Sequence, residues 1–169
     1  MIKRAINLIL VCGVCLFIFG CGMESAAVKK GDPAPDFTLV DLQGKSWTLS
    51  QLKGQVVFIN FWATWCPPCL DELPSMQNLL AKLPKDRFKM LAVLNKDKPG
   101  MADFVAKQKG LTMPILDDGQ NKVGSAYFLT GLPETFIVDK QGIIREKVIG
   151  GIKWDNPGAV QMIMGLINE

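Results

Sequence analysis

One stretch of the chain restricts its fold more than any other. A continuous apolar run, Gln55–Phe61 with Val56-Val57-Phe58-Ile59 at its centre, leads directly into Trp62-Ala63-Thr64-Trp65-Cys66-Pro67-Pro68-Cys69. A short run that is apolar at consecutive positions predicts a central strand covered on both faces. Beyond the cysteines, Leu73, Met76, Leu80 and Leu83 give one apolar stripe, which predicts a helix over Pro67–Leu83. The two cysteines therefore stand at a strand-to-helix junction.

The rest of the chain supplies partners for that unit. Phe37–Val40 and Ser46–Leu49 read as two short strands around Gln43-Gly44-Lys45, an N-terminal hairpin. Phe88–Leu94 reads as a second buried strand, and Met101–Lys109 as a helix with Phe104 and Val105 inward. Ile115–Asp117 reads as a short strand and Lys122–Phe128 as a short helix. Thr135–Val138 and Ile143–Ile149 form a hairpin across Asp139-Lys140-Gln141-Gly142. Val160, Ile163, Met164 and Ile167 mark a last helix at i, i+3, i+4, i+7 spacing. Strands alternating with helices, closed by a hairpin and a helix, predict one layered α/β domain.

The N-terminus has a different character. Lys3 and Arg4 precede an apolar stretch from Ala5 to Phe19, interrupted only by Asn7 and Gly13. That matches the apolar region of a signal peptide and is short for a membrane-spanning helix. It meets Ile18-Phe19-Gly20-Cys21, which resembles a bacterial lipobox, where the cysteine receives lipid and becomes the new N-terminus; Phe19 is bulkier than that pattern prefers. An uncleaved signal anchor is the alternative, and either way the domain is exported and tethered to a membrane. The expected organisation is a lipoprotein-type signal over 1–20, a flexible tether over 21–30 and one domain over 31–169.

Composition narrows the chemistry. Without residues 1–20 the chain carries 17 basic and 16 acidic residues, so no clustered basic face points to nucleic acid. There is no histidine, which removes Ser-His-Asp and Cys-His catalysis and every His-ligated metal site. A proton carrier must be a carboxylate, a thiol, a lysine, Tyr127 or water. Of the five cysteines, Cys12 and Cys15 lie inside the apolar export segment and read as small hydrophobes, and Cys21 goes to the lipid.

Only Cys66 and Cys69 remain for the folded domain, and their place at a helix start points to redox work. The helix dipole and free N–H groups favour a thiolate at Cys66. Cys69, one turn further in, is placed to close a disulfide with it. The outer thiolate attacks a substrate disulfide and the inner thiol resolves the mixed disulfide. Zinc would need two more soft ligands, which the domain lacks. A structural disulfide closing so small a loop would stabilise little. No cofactor beyond the Cys66–Cys69 pair is expected. Pro67 and Pro68 have no N–H to give the outer sulfur, so its thiolate is only moderately stabilised and the protein is expected to act as a reductant.

Phe61-Trp62-Ala63-Thr64-Trp65-Cys66-Pro67-Pro68-Cys69, followed by Glu72 and Pro74, resembles the active-site segment of the thioredoxin-like family. It is most similar to the TlpA/ResA/CcmG (DsbE) branch of membrane-tethered reductases. Gly31-Asp32-Pro33-Ala34-Pro35-Asp36-Phe37-Thr38-Leu39 and Gly131-Leu132-Pro133-Glu134-Thr135-Phe136-Ile137-Val138-Asp139 resemble the same branch. The resemblance implies a thioredoxin-like α/β fold, with a central mixed sheet flanked by helices and an N-terminal hairpin extension. It implies that Pro133 is a cis-proline facing the disulfide, that the backbone of Leu132 is free to pair with a substrate chain, and that Pro74 kinks the helix. Trp65 and Pro67 would join Leu132 and Pro133 in binding substrate. Implied partners are exported proteins with disulfides, apocytochrome c among them, and a membrane reductant donor of the DsbD/CcdA type, at the periplasm or the outer face of the cytoplasmic membrane.

One departure shifts attention to a carboxylate. Ordinary thioredoxins carry a buried aspartate just before the Phe-Trp pair; this chain has Asn60, which cannot take a proton. The branch has a glutamate three residues after the second cysteine, here Glu72, which the resemblance makes the acid–base group for Cys69. Glu134, beside Pro133, is a second candidate, for substrate recognition. Two rival functions are a peroxiredoxin-like peroxidase and a metal-carrying module on the same fold. The first needs a Thr three residues before the reactive cysteine, where this chain has Ala63; the second uses a distal histidine, and there is none.

Overall fold

A five-stranded sheet in the order β5-β4-β3-β6-β7 divides the computed structural model, which describes residues 27–169, into two apolar layers. Before the sheet come two short strands, β1 (Thr38–Val40) and β2 (Ser46–Thr48), paired antiparallel as the expected hairpin. β3 (Val56–Trp62), β4 (Phe88–Asn95) and β5 (Ile115–Asp118) run parallel. β6 (Glu134–Val138) pairs antiparallel with β3, and β7 (Ile144–Ile149) antiparallel with β6. Four helices connect or close these strands: α1 (Pro67–Lys82), α2 (Pro99–Lys109), α3 (Lys122–Ala126) and α4 (Pro157–Asn168). The segment predicted to direct export, with Cys12, Cys15 and Cys21, lies outside the described residues.

β3 is buried at every position because both faces are covered. Alternation along the strand sends Val56, Phe58 and Trp62 to one side, against Leu73, Met76 and Leu79 of α1 and Ile163 and Ile167 of α4. Val57, Ile59 and Phe61 go to the other side, against Phe37, Leu49 and Tyr127. Asn60 shares the parity of Phe58 and Trp62, so it faces α1. The packed chain starts before Gly31, within the predicted tether: Val28 is buried, and Lys147 Nζ donates to its carbonyl at 3.3 Å.

Four local expectations are corrected. Leu49 does not end β2 but opens a short 3-10 helix, Leu49–Leu52, held where Asp36 accepts from the Ser50 N–H at 2.9 Å. The buried stripe of α1 is Leu73, Met76 and Leu79, whereas Leu80 is only partly buried. Phe104 points outward, 61% exposed, because α2 lays its small Ala102 and Val105 against the core. The helix expected over Lys122–Phe128 stops at Ala126, and Phe128 takes a left-handed φ of 51°.

These facings predict opposite outcomes for two truncations. Leu73→Ala should cost about 2–5 kcal/mol in urea unfolding, the range for an emptied core site. Phe104→Ser should stay within about 0.5 kcal/mol, as exposed positions do. A larger loss at Phe104 than at Leu73 would contradict this packing.

Candidate active site

The site is assembled where β3 hands the chain to α1. Trp62 and Ala63 are wholly buried, and the Cys66 N–H donates back to the Ala63 carbonyl at 3.3 Å, closing the turn. Thr64 fixes that turn to the segment after β4: its N–H and Oγ1 both donate to Asp97 Oδ2, at 2.6 and 2.7 Å. Cys66 is the N-cap of α1, and Pro67 and Pro68 fill the first helical positions, where an N–H would lack a partner in any case. The Cys69 N–H points at Cys66 Sγ, 3.3 Å away. Cys66 and Cys69 form a disulfide, with Cα atoms 5.3 Å apart.

Exposure is unequal across this centre. Cys69 is fully buried, and Cys66 keeps only 4% of its surface, less than its role as the outer sulfur suggested. Trp65, immediately before it, is 60% exposed, and its indole N–H reaches the Lys96 carbonyl at 3.4 Å. The Leu132–Pro133 peptide bond is cis. The Pro133 carbonyl accepts from Gly150, whereas Leu132 has no backbone hydrogen bond among the described residues.

Glu72 lies one turn beyond Cys69 on α1 and is buried, not solvated. Its Oε1 accepts from Asn60 Nδ2 at 2.8 Å. Its Oε2 accepts from Trp154 Nε1 at 3.1 Å and from the Ile152 N–H at 3.3 Å. Burial pushes the carboxyl above its ordinary value of 4.5, outweighing the three donors, which pull it down. Ser75 reinforces the arrangement: its hydroxyl donates to the Glu72 carbonyl at 2.7 Å and accepts from the Trp154 N–H at 3.0 Å. The loop carrying Ile152 crosses close over the cysteine turn. A Cβ at Gly151 would lie 2.9 Å from the Pro68 carbonyl oxygen, so only glycine permits that approach.

Two other candidates change role. Glu134 is fully buried and cannot offer its carboxylate to a substrate. Its Oε2 accepts from the Thr130 N–H and Oγ1, and its Oε1 pairs with Lys147 Nζ at 2.8 Å, so it pins the loop ahead of Pro133. Tyr127 is excluded as a proton carrier: its hydroxyl donates to the Pro35 carbonyl at 2.9 Å, and burial drives its pKa far upward. Pro74 lies inside α1. Among the described residues no cluster of His, Cys, Asp or Glu is arranged to hold a metal. Gly151, Ile152 and Trp154 carry no motif that ties them to a site, and no local signal announces their return to α1.

Comparison with known proteins gives a consistent picture. Residues 30–147 match the model of the AhpC/TSA family. The chain is 39% identical over 150 residues to the thiol-disulfide oxidoreductase ResA of Geobacillus kaustophilus, covering 88% of this chain and 86% of that protein. Its structure is similar to that of the thiol:disulfide interchange protein DsbE of Chlorobium tepidum, with a TM-score of 0.75 and 30% identity over 83% of this chain and 99% of the other. It is also similar to an exposed lipoprotein thioredoxin of Streptococcus pneumoniae, with a TM-score of 0.63 and 30% identity over 78% and 100% of the two chains.

The buried carboxyl has a consequence for stability. Folded Glu72 keeps its proton above 4.5, while the unfolded chain releases it near that value. The folded state therefore binds more protons in that interval, and stability falls as pH rises through it. Glu72→Gln should remove this fall. Chemical denaturation at stepped pH checks it, and a wild-type profile no steeper than that of the variant would contradict the assignment.

Proposed function

This chain belongs to the AhpC/TSA family and is a thiol–disulfide oxidoreductase of thioredoxin-like fold, and from that premise we propose that it works outside the cytoplasm as a dithiol reductant of exported proteins. The observation that carries the direction is the start of α1. Pro67 and Pro68 have no N–H, and only that of Cys69 reaches Cys66 Sγ among the described residues. A thiolate with so few donors is weakly stabilised, which keeps the disulfide harder to reduce and makes the dithiol the donor of electrons.

The cycle begins with the reduced pair. The Cys66 thiolate attacks one sulfur of a substrate disulfide, forming a mixed disulfide and releasing the other substrate thiolate, which takes a proton from water. Cys69 then gives its proton to Glu72 and attacks Cys66 Sγ. The second substrate thiol leaves with that proton, and the Cys66–Cys69 disulfide holds the two electrons' worth of oxidation. Burial supports Glu72 in this part, because a carboxyl held above its ordinary value is a better base for a thiol. Asn60, Trp154 and Ile152 hold the carboxylate in place.

The setting is inferred from the N-terminus and from the relatives. Ile18-Phe19-Gly20-Cys21 supports lipidation at Cys21, and the pneumococcal neighbour is described as an exposed lipoprotein. Substrates would be exported proteins with disulfides, such as apocytochrome c, and a membrane donor of the DsbD/CcdA type would return the electrons. Against a peroxidase reading, Ala63 is buried and offers no hydroxyl beside Cys66.

Cys69→Ser tests the mechanism. It should stall the reaction at Cys66 and accumulate mixed disulfides with exported proteins, released by dithiothreitol. Glu72→Gln, with both cysteines present, should slow the release of substrate from Cys66 by about 10²–10⁴-fold. Failure of Cys69→Ser to trap any exported protein, or release by Glu72→Gln at the wild-type rate, would contradict the proposal.

A further inference from the structure

Backbone strain among the described residues is gathered around one cavity that Trp65, the residue before Cys66, also lines. Among the described residues, three that are not glycine have positive φ: Lys96 at 51°, Asn121 at 56° and Phe128 at 51°. All three line one cavity of about 540 Å³, whose wall also includes Trp65 and Leu132. Asparagine enters this conformation readily, because its short polar side chain bonds locally. For phenylalanine it is an outlier, and glycine is the residue that fits without strain.

Burial does not compensate for the strain at Phe128. Phe128 is 39% exposed, whereas its neighbour Tyr127 is fully buried and packs with Phe37, Phe61 and Phe136. A bulky residue held in an unfavourable conformation while more than a third of its surface stays exposed points to a use outside the fold. The neutral polar side chains of the cavity are already committed. Asn95 Nδ2 donates to Asp118 Oδ2 and to Asn121 Oδ1, at 3.0 and 2.7 Å, and Asn121 Nδ2 donates to Ser125 Oγ at 2.9 Å. Apart from the Lys96 ammonium, what remains free is apolar: Trp65, Phe128 and the Leu129 and Leu132 side chains. Lys96 is the one charged residue in the lining, which disfavours a basic occupant.

Building on the reductase reading, we propose that Phe128 is a specificity-determining residue, which with Trp65 grips a large apolar side chain next to the cysteine of an extended substrate segment. The cavity borders the reactive centre at Trp65, which precedes Cys66, and at Leu132, which precedes Pro133 and has no backbone hydrogen bond among the described residues. A substrate cysteine brought to Cys66 therefore sets its neighbouring residue beside Trp65, at the edge of the cavity that Phe128 also lines. An apolar side chain there leaves water without displacing any polar partner.

The test compares two disulfide-linked peptides that differ only beside the cysteine, Phe-Cys-Phe against Ser-Cys-Ser. The reduced wild-type protein should favour the first by about tenfold in kcat/KM, the discrimination one apolar group gives. Phe128→Gly should erase the preference while melting no lower than wild type, because glycine accepts the backbone without strain. Phe128→Tyr should keep the preference. Equal wild-type rates on both peptides, with oxidised glutathione still consumed, would overturn the inference alone, as would a preference retained by Phe128→Gly. A protein that reduces neither peptide nor glutathione would overturn the reductase reading and this inference with it. A wild-type dimer that Phe128→Gly dissolves would show that a second copy covers the ring, and would also overturn it.

Discussion

The first turn of α1 is the constraint on which the rest of this structure depends. Cys66 caps the helix, and the next two residues are prolines, so the turn carries the helix dipole but few N–H donors. The prolines also set the backbone path that lets Gly151 come against the Pro68 carbonyl. That approach brings Ile152 and Trp154 onto Glu72. Helix start, loop crossing and buried carboxylate are thus one arrangement. A side chain at position 151 would push the loop away and strip Glu72 of two of its three donors.

Glu72 shows how opposed effects settle a residue's state. Three hydrogen bonds to a carboxylate would ordinarily hold it ionised, whereas removal from water favours the neutral form. Here burial prevails, and the group is displaced upward. Asn60 contributes orientation without titrating, since its amide is shared between Glu72 and Thr135. Glu134, only one residue from Pro133, is spent differently. Its pairing with Lys147 and Thr130 stiffens the loop that presents Leu132, so its contribution is to the shape of the site and not to its contacts.

The features legible in the sequence are those written in short spans. The apolar run before Cys66, the paired cysteines and the missing histidine point by themselves to a redox centre at a strand-to-helix junction. Helix facing was harder. Phe104 and Leu80 are as apolar as residues that do face the core, and only the actual packing of Ala102, Val105 and Leu79 decides which side is inward. Ile152 and Trp154 were not legible at all. The contact of Trp154 with Glu72 spans 82 residues, and nothing in the local pattern records such a meeting. From sequence Phe128 reads as the end of a helix, because a left-handed backbone at an aromatic residue has no sequence signature.

The central claim is that the Cys66–Cys69 pair gives electrons away because the outer thiolate is poorly stabilised. Its most direct test is the reduction potential of the purified protein, titrated against glutathione. The account predicts a value near the roughly −270 mV of thioredoxin. A value above about −180 mV, towards that of a strong periplasmic oxidant, would contradict it.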